Sequence, residues 1–320
     1  MGFTVLLPQD VVEEGKKYLT DRGYAIKMGF GTAVGQIIED VKDCDAILLR
    51  TAPIPREVIE AGSKLKVIGR HGVGCDNIDL KAAAERGVQV TYAPESNANS
   101  VAEYTIGMVI ALARYFFPGD KVTRTGQWEM RNKYPAIDLE GKTLGIVGIG
   151  RVGSQVAKKA FYGLDMKVLA YDPYKTEVKD VPNARIVKDL DSVFTQADFI
   201  SLHLPAMDET KGMIGKKYFE MMKKSAFFVN AARGEVVNEK DLYEALSTRR
   251  IAGAAIDVYD PEPPLKDNPL FGLDNVILSP HSAALTKEAM VRMAVHAAMG
   301  IDDVLSGRPP KWPFVNPSKK

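Results

Sequence analysis

The chain has 320 residues, and its 42 Lys and Arg nearly cancel 41 Asp and Glu to leave a net charge of +1. That length suggests two domains at roughly 100–200 residues each, and 46% apolar with 26% charged residues is a globular composition. The charge balance excludes bulk attraction to nucleic acid or anionic membrane. No apolar stretch approaches the roughly 20 residues of a bilayer span, and two cysteines build neither a disulfide scaffold nor a metal site. The expectation is a cytoplasmic protein without membrane or nucleic-acid partners and without a metal.

From the N-terminus, short apolar runs alternate with helical segments. Residues 3–7 read as a strand, and the Pro8-Gln9-Asp10 turn leads into a helix ending near Arg22-Gly23. Residues 24–28, 46–49 and 66–68 read as further strands. Runs that are apolar throughout, separated by helix-sized crossovers, indicate an α/β doubly wound parallel sheet. Residues 99–117 form the longest helical stretch, with Val101, Thr105, Met108, Val109 and Leu112 near one face. It reads either as a buried interdomain helix or as one packed on a second subunit. Residues 118–138 are polar and irregular, and contain Trp128. A new α/β run spans 142–280, followed by a helix over 283–305 and a proline-rich tail over 307–317.

Residues 143–147 form a strand that passes directly into Gly148-Ile149-Gly150-Arg151-Val152-Gly153 and a helix over 154–163. A second strand, 167–171, ends at Asp172. This is the context a dinucleotide fingerprint requires. Gly148 permits the tight turn, Gly150 admits a pyrophosphate to the backbone, and Gly153 allows close helix–strand packing. The helix N-terminus, at Arg151 and Val152, offers N–H groups to phosphate. Asp172 suits the ribose hydroxyls and disfavours a 2′-phosphate, which points to NAD rather than NADP.

Three further strands end in chemically capable residues. Residues 227–230 lead to Arg233, residues 254–258 to Glu262, and residues 276–278 to His281. An unperturbed imidazole titrates near about 6.5, so His281 is the natural acid/base for hydride transfer at a carbinol carbon. A neighbouring Glu262 would fix its tautomer, and Arg233 could clamp a substrate carboxylate.

These residues resemble the D-isomer-specific 2-hydroxyacid dehydrogenase family, of the phosphoglycerate dehydrogenase-like kind. The resemblance extends over 46–317. It is carried by Lys66-Val67-Ile68-Gly69-Arg70-His71-Gly72-Val73-Gly74-Cys75-Asp76-Asn77-Ile78-Asp79, Ser100-Val101-Ala102-Glu103, Leu139-Glu140-Gly141-Lys142-Thr143-Leu144-Gly145 and His203-Leu204-Pro205. It implies a Rossmann NAD-binding domain, 99–288, inserted in a flavodoxin-like substrate-binding domain made of 1–98 plus 289–320, and a homodimer through the NAD-binding domain. It implies Arg233, Glu262 and His281 as catalytic residues. Asp257, His203, Pro205, Thr210 and Ala231 join the glycine turn as cofactor contacts. Arg50, His71, Gly72, Val73 and Gly74 lie on the substrate side with Arg233.

The chain departs from the family pattern at His71, where a small residue is usual, at Met207, and in lacking an Arg-Ser-x-Thr-Lys run after Leu49. It also ends after the catalytic core, so no added regulatory domain is expected. Arg50, Arg70 and His71 suggest a small D-2-hydroxy or 2-oxo acid with a polar or anionic distal group, of the 3-phosphoglycerate, hydroxypyruvate or glyoxylate type. A formate dehydrogenase would carry glutamine in place of Glu262. The alternative from another class is an NAD(H)-sensing binding protein of the corepressor type. His296 is expected to be packed or at an interface, and Cys44 and Cys75 to be reduced, ordinary side chains.

Overall fold

The computed structural model describes residues 2–133 and 135–314. Two compact units divide the chain, one made of residues up to Asn97 together with those from Leu285 on, the other of Ala98–Ala284.

In the first unit, β1 (Thr4–Leu7), β2 (Ala25–Met28), β3 (Ala46–Leu49), β4 (Val67–Arg70) and β5 (Gln89–Thr91) lie parallel in the order β2-β1-β3-β4-β5. This is the flavodoxin-like order. Every residue of β3, Ala-Ile-Leu-Leu, is buried, whereas the edge strand β2 has no buried residue. Helices on both faces of a parallel sheet require that contrast. One of them is the Lys287–Leu305 helix, whose Ala294, Ala297, Ala298 and Ile301 are fully buried with Val5, Leu7, Leu48 and Val67. Small residues allow the approach, since a Cβ on Gly69 would lie 2.7 Å from the Ala297 carbonyl oxygen. Asp302 fastens the helix by accepting from the Tyr24 hydroxyl at 2.7 Å and the Arg308 guanidinium at 2.6 Å. The segment that follows bridges Thr91 through Pro313 and donates from Phe314 N–H to the Val90 carbonyl. Positions 315–317 of the expected tail lie outside the described residues.

The second unit contains β6 (Thr143–Val147), β7 (Lys167–Tyr171), β8 (Arg185–Val187), β9 (Phe199–Leu202), β10 (Phe227–Asn230), β11 (Gly253–Ile256) and β12 (Val276–Leu278). They lie parallel in the order β12-β11-β10-β9-β6-β7-β8. The sheet therefore grows outward from β6 in both directions, the doubly wound Rossmann plan, with ligand-binding loops expected at the carboxyl ends of its strands. Alternate residues of β10 supply two cores, Phe228 with Phe194 and Phe219, and Phe227 with Phe199 and Val109.

Three local expectations change. The helix expected over 99–117 is Ala98–Ala113, broken at Tyr115 with φ 49°, and a second helix follows at Phe116–Arg124. The stretch expected to be irregular is thus helical, with a further 3₁₀ turn at Trp128–Lys133. Pro118 is tolerated because it falls in the first turn, where its missing N–H has no intrahelical partner to lose. The last helix begins at Lys287 rather than 283, where Thr286 Oγ1 accepts from Ala289 N–H at 3.1 Å. Among the described residues no single helix is long and apolar enough to cross a membrane. The bent pair Ala98–Ala113 and Phe116–Arg124 passes by length and composition only, and its first member is core-packed through Ala102, Val109 and Leu112.

Candidate active site

The loops after β10, β11 and β12 bring Arg233, Glu262 and His281 together. His281 Nδ1 lies 2.6 Å from Glu262 Oε2, and Glu262 Oε1 accepts from Tyr259 N–H at 3.0 Å. Burial opposes the charge on Glu262, but the His281 ring, the Tyr259 N–H and the Arg233 charge outweigh it and hold the carboxyl below its ordinary range. An ionised carboxylate only accepts, so Nδ1 carries the shared proton and Nε2 is left for acid/base work. Arg233 is set by its own turn: Asn230 Nδ2 donates to the Arg233 carbonyl at 2.9 Å, and Asn230 Oδ1 accepts from Ala232 N–H at 3.1 Å. Half-buried Ala231 lies within this turn.

At the end of β6 the chain turns at Gly148, with φ 95°. A Cβ on Gly153 would lie 2.0 Å from the Gly148 carbonyl oxygen, so only glycine lets the Arg151–Leu164 helix approach so closely. A Cβ on Gly150 would meet nothing within 4 Å, which leaves that side of the turn open beside Arg151 and Val152. Asp172 is fixed beside the turn, Oδ2 accepting from Ile149 N–H at 2.8 Å and Oδ1 from Tyr174 N–H at 2.9 Å. Each oxygen keeps a lone pair for a ribose hydroxyl. An open glycine turn, a helix N-terminus and an anchored carboxylate together fit a dinucleotide. His203 abuts Gly148 through its backbone carbonyl, and its Nε2 lies 3.0 Å from Ser201 Oγ. Burial pushes the His203 imidazole down to about 3, so it stays neutral.

Thr210 and Asp257, both expected as cofactor contacts, also bond within the protein. Thr210 Oγ1 donates to the Pro205 carbonyl at 2.7 Å and accepts from Met207 N–H at 2.8 Å, closing its own turn. Asp257, 1% exposed, directs its carboxylate to Ser279 Oγ, Ser282 N–H and Ala283 N–H.

In the first unit, Arg50 follows β3 and donates from Nη1 to the Asp10 carbonyl at 3.0 Å. Gln9 Oε1 accepts from Thr51 N–H at 2.8 Å and Ala52 N–H at 2.9 Å, which fixes that loop. Gly72 is buried with φ 144°, while Val73 and Gly74 are partly exposed. His71 differs from expectation. Its side chain turns inward, 5% exposed, and Arg70 folds back onto its carbonyl, so the imidazole does not face solvent.

Residues 106–283 match the model of the D-isomer specific 2-hydroxyacid dehydrogenase NAD binding domain. The chain belongs to this family. It is 41% identical over 319 residues to D-3-phosphoglycerate dehydrogenase of Archaeoglobus fulgidus, covering 98% of this chain and 60% of that protein. It is also 41% identical over 263 residues to glyoxylate reductase of Korarchaeum cryptofilum, covering 81% and 79%. The TT0316 protein of Thermus thermophilus shares its fold with a TM-score of 0.90 at 32% identity, covering 98% and 100%. The chain spans between half and three-fifths of the curated phosphoglycerate dehydrogenases it first matches. Its cofactor is NAD, the ligand for which the family's domain is described.

Four further residues support the three candidate side chains. Asn230, Tyr259, Ser279 and Tyr104 shape the loops that carry Arg233, Glu262 and His281. Asn230 had a local signal, a polar residue ending an apolar strand. Tyr259 acts within its own loop, whereas Ser279 and Tyr104 depend on pairings between distant segments.

The inward turn of His71 has a measurable effect. Burial, joined by the Arg50 and Arg70 charges, pushes its imidazole down to about 4. An unfolded imidazole titrates near about 6.5, so between these values the unfolded chain takes up a proton that the folded chain refuses. Stability therefore falls as pH drops through this window, by about 2 kcal/mol from His71 alone at pH 5. His203 adds in the same direction. Between pH 7.5 and 5, His71→Gln should lose less of its urea midpoint than the parent does. Equal losses would show that His71 titrates normally in the fold.

Proposed function

We infer that this chain interconverts a small D-2-hydroxy acid and its 2-oxo acid with NAD(H), and that the substrate carries a polar or anionic distal group. The observation that carries the reading is the 2.6 Å Glu262–His281 pair on successive strand-end loops of the dinucleotide unit. Hydride exchange at the carbinol carbon is what a bound nicotinamide supplies. His281 Nε2 gives its proton to the oxygen as the oxo acid is reduced and takes it back in the reverse direction. Glu262 keeps Nδ1 protonated, which fixes the tautomer and the direction in which Nε2 points. Arg233 holds the substrate carboxylate and polarises the neighbouring carbonyl.

On this reading the first unit binds substrate. Val73 and Gly74 offer backbone N–H groups, and Arg50 supplies a cation for the distal group. The names of relatives bear on this choice, since they include phosphoglycerate dehydrogenases, glyoxylate reductases and a hydroxypyruvate reductase. A second copy of the chain is part of the proposal. It would cover the aromatic surface after the Ala98–Ala113 helix, where Phe116, Phe117 and Trp128 are 55%, 56% and 64% exposed. A cytoplasmic setting is part of the same proposal, in which Cys44 and Cys75 are ordinary buried side chains.

The test is NADH oxidation against phosphohydroxypyruvate, hydroxypyruvate, glyoxylate and a bulky apolar 2-oxo acid, with sedimentation of the same preparation. Turnover is expected on at least one of the first three. Preference for the apolar acid would remove the distal-group assignment, and a monomeric mass would remove the second copy. NADH binding without turnover on any compound would favour the corepressor-type reading.

A further inference from the structure

Ser279, two residues before His281, is the centre of a hydrogen-bond cluster that the proposed chemistry does not itself use. Its hydroxyl lies 2.7 Å from Asp257 Oδ1 and is also bonded to the Tyr104 hydroxyl on the Ala98–Ala113 helix. Its carbonyl accepts from the Tyr259 hydroxyl at 3.1 Å. Asp257 takes Ser282 N–H on Oδ1 and Ala283 N–H on Oδ2, each at 2.9 Å, and its carbonyl takes His281 N–H at 2.8 Å. One buried residue, through its carboxylate and its carbonyl, thus gathers the turn from Ser279 to Ala283.

The proton directions follow from the groups present. A carboxylate only accepts, so the one hydroxyl proton of Ser279 goes to Asp257. The proton between Ser279 and Tyr104 must then come from Tyr104. Burial pushes the Tyr104 phenol up to about 12, so it keeps that proton throughout the working range. Tyr104 is therefore the donor that starts a chain running through Ser279 to Asp257.

His281 shows why the turn needs holding. Its φ is +50°, a left-handed conformation that is uncommon outside glycine, though less so for histidine than for most side chains, and that neighbouring bonds must hold. The bonds from Asp257 to His281 N–H, Ser282 N–H and Ala283 N–H do so directly. The Tyr104 and Ser279 hydroxyls in turn fix the rotamer of the Asp257 carboxylate.

We propose that Tyr104 is a positioning residue for His281, acting through Ser279 and Asp257 to hold the left-handed turn that aims the imidazole at Glu262. The proposal rests on His281 as the acid/base of the reaction, but its geometry can be tested without turnover. It makes the Ala98–Ala113 helix part of the site rather than only a packing element.

The experiment compares Tyr104→Phe, Ser279→Ala, Ser279→Thr and the Tyr104→Phe/Ser279→Ala pair with the parent, as full chains. The first readout is the NMR titration of the His281 ring without substrate. It is resolvable among four histidines and assigned with His281→Asn. The second is kcat on the best 2-oxo acid, with NADH affinity as a control. Tyr104→Phe keeps the ring and loses one hydrogen bond, so kcat should fall about three- to tenfold with NADH affinity unchanged. The His281 titration should shift as well. Ser279→Ala should behave similarly, the double variant no worse than Ser279→Ala alone, and Ser279→Thr close to the parent. An unchanged His281 titration in Tyr104→Phe overturns the proposal, as do additive losses in the pair. If the parent turned over no 2-oxo acid, the functional reading would fail while the titration still decided the role of Tyr104.

Discussion

Replacing His281 by Asn lowers kcat about 10²–10⁴-fold at neutral pH, while NADH binds as it does to the parent. In barrier terms that is about 3–5 kcal/mol. Asn fills similar space and can still hydrogen-bond to Glu262, but it has no nitrogen able to exchange a proton. The backbone bond from position 281 to the Asp257 carbonyl needs no side chain, and Asn tolerates a left-handed φ well. The turn should therefore survive, and the loss should appear in kcat rather than in unfolding. Because Gly148, Gly150 and Asp172 lie at other strand ends, cofactor titration separates the two effects. A turnover number near that of the parent would remove His281 from the mechanism.

Gly234→Ala should be more damaging than its size suggests. A Cβ there would lie 2.0 Å from the Tyr259 carbonyl oxygen, 2.1 Å from its carbon and 2.7 Å from its Cα. All three are backbone atoms, so no rotamer change relieves the overlap and one of the two loops must move. Tyr259 donates its N–H to Glu262 and its hydroxyl to the Ser279 carbonyl, and Arg233 immediately precedes the substituted residue. The displacement would pass to all three candidate catalytic side chains. Overpacking of this kind costs about 3 kcal/mol or more when backbone must shift. The urea midpoint and kcat/KM should therefore fall together. Gly163→Ala is the control, since a Cβ at this helical glycine would meet nothing within 4 Å. Parent-like stability in Gly234→Ala would show that the two loops are not held in this contact.

Much of the fold was legible because parallel strands buried on both faces leave continuous apolar runs, as in Ala46-Ile47-Leu48-Leu49 and Phe227-Phe228-Val229. The glycine turn was legible because its steric demands select one residue type at each of three positions. Short edge elements were not. Strand β8 has only three residues, none of them buried, and β5 begins with an exposed Gln89. The Phe116–Arg124 helix was hidden by a proline that a first turn accepts. In the site, strand-end position marked Arg233, Glu262 and His281, but sequence does not give the direction in which a loop side chain points. His71 turned inward and Asp257 turned to its neighbouring loop for that reason. Tyr104 and Ser279 are 175 residues apart, so no local pattern announces their contact.

The Lys287–Leu305 helix completes a core whose strands precede the whole Ala98–Ala284 unit in the chain. On the ribosome, then, the units finish out of order. At about 5–20 residues per second, the interval between β5 and the end of this helix is about 10–40 s. Through it Val5, Leu7, Leu48 and Val67 lack the helix that buries them, while the inserted unit can already close its own sheet. The first unit, although its strands are made first, is therefore the last to complete its core.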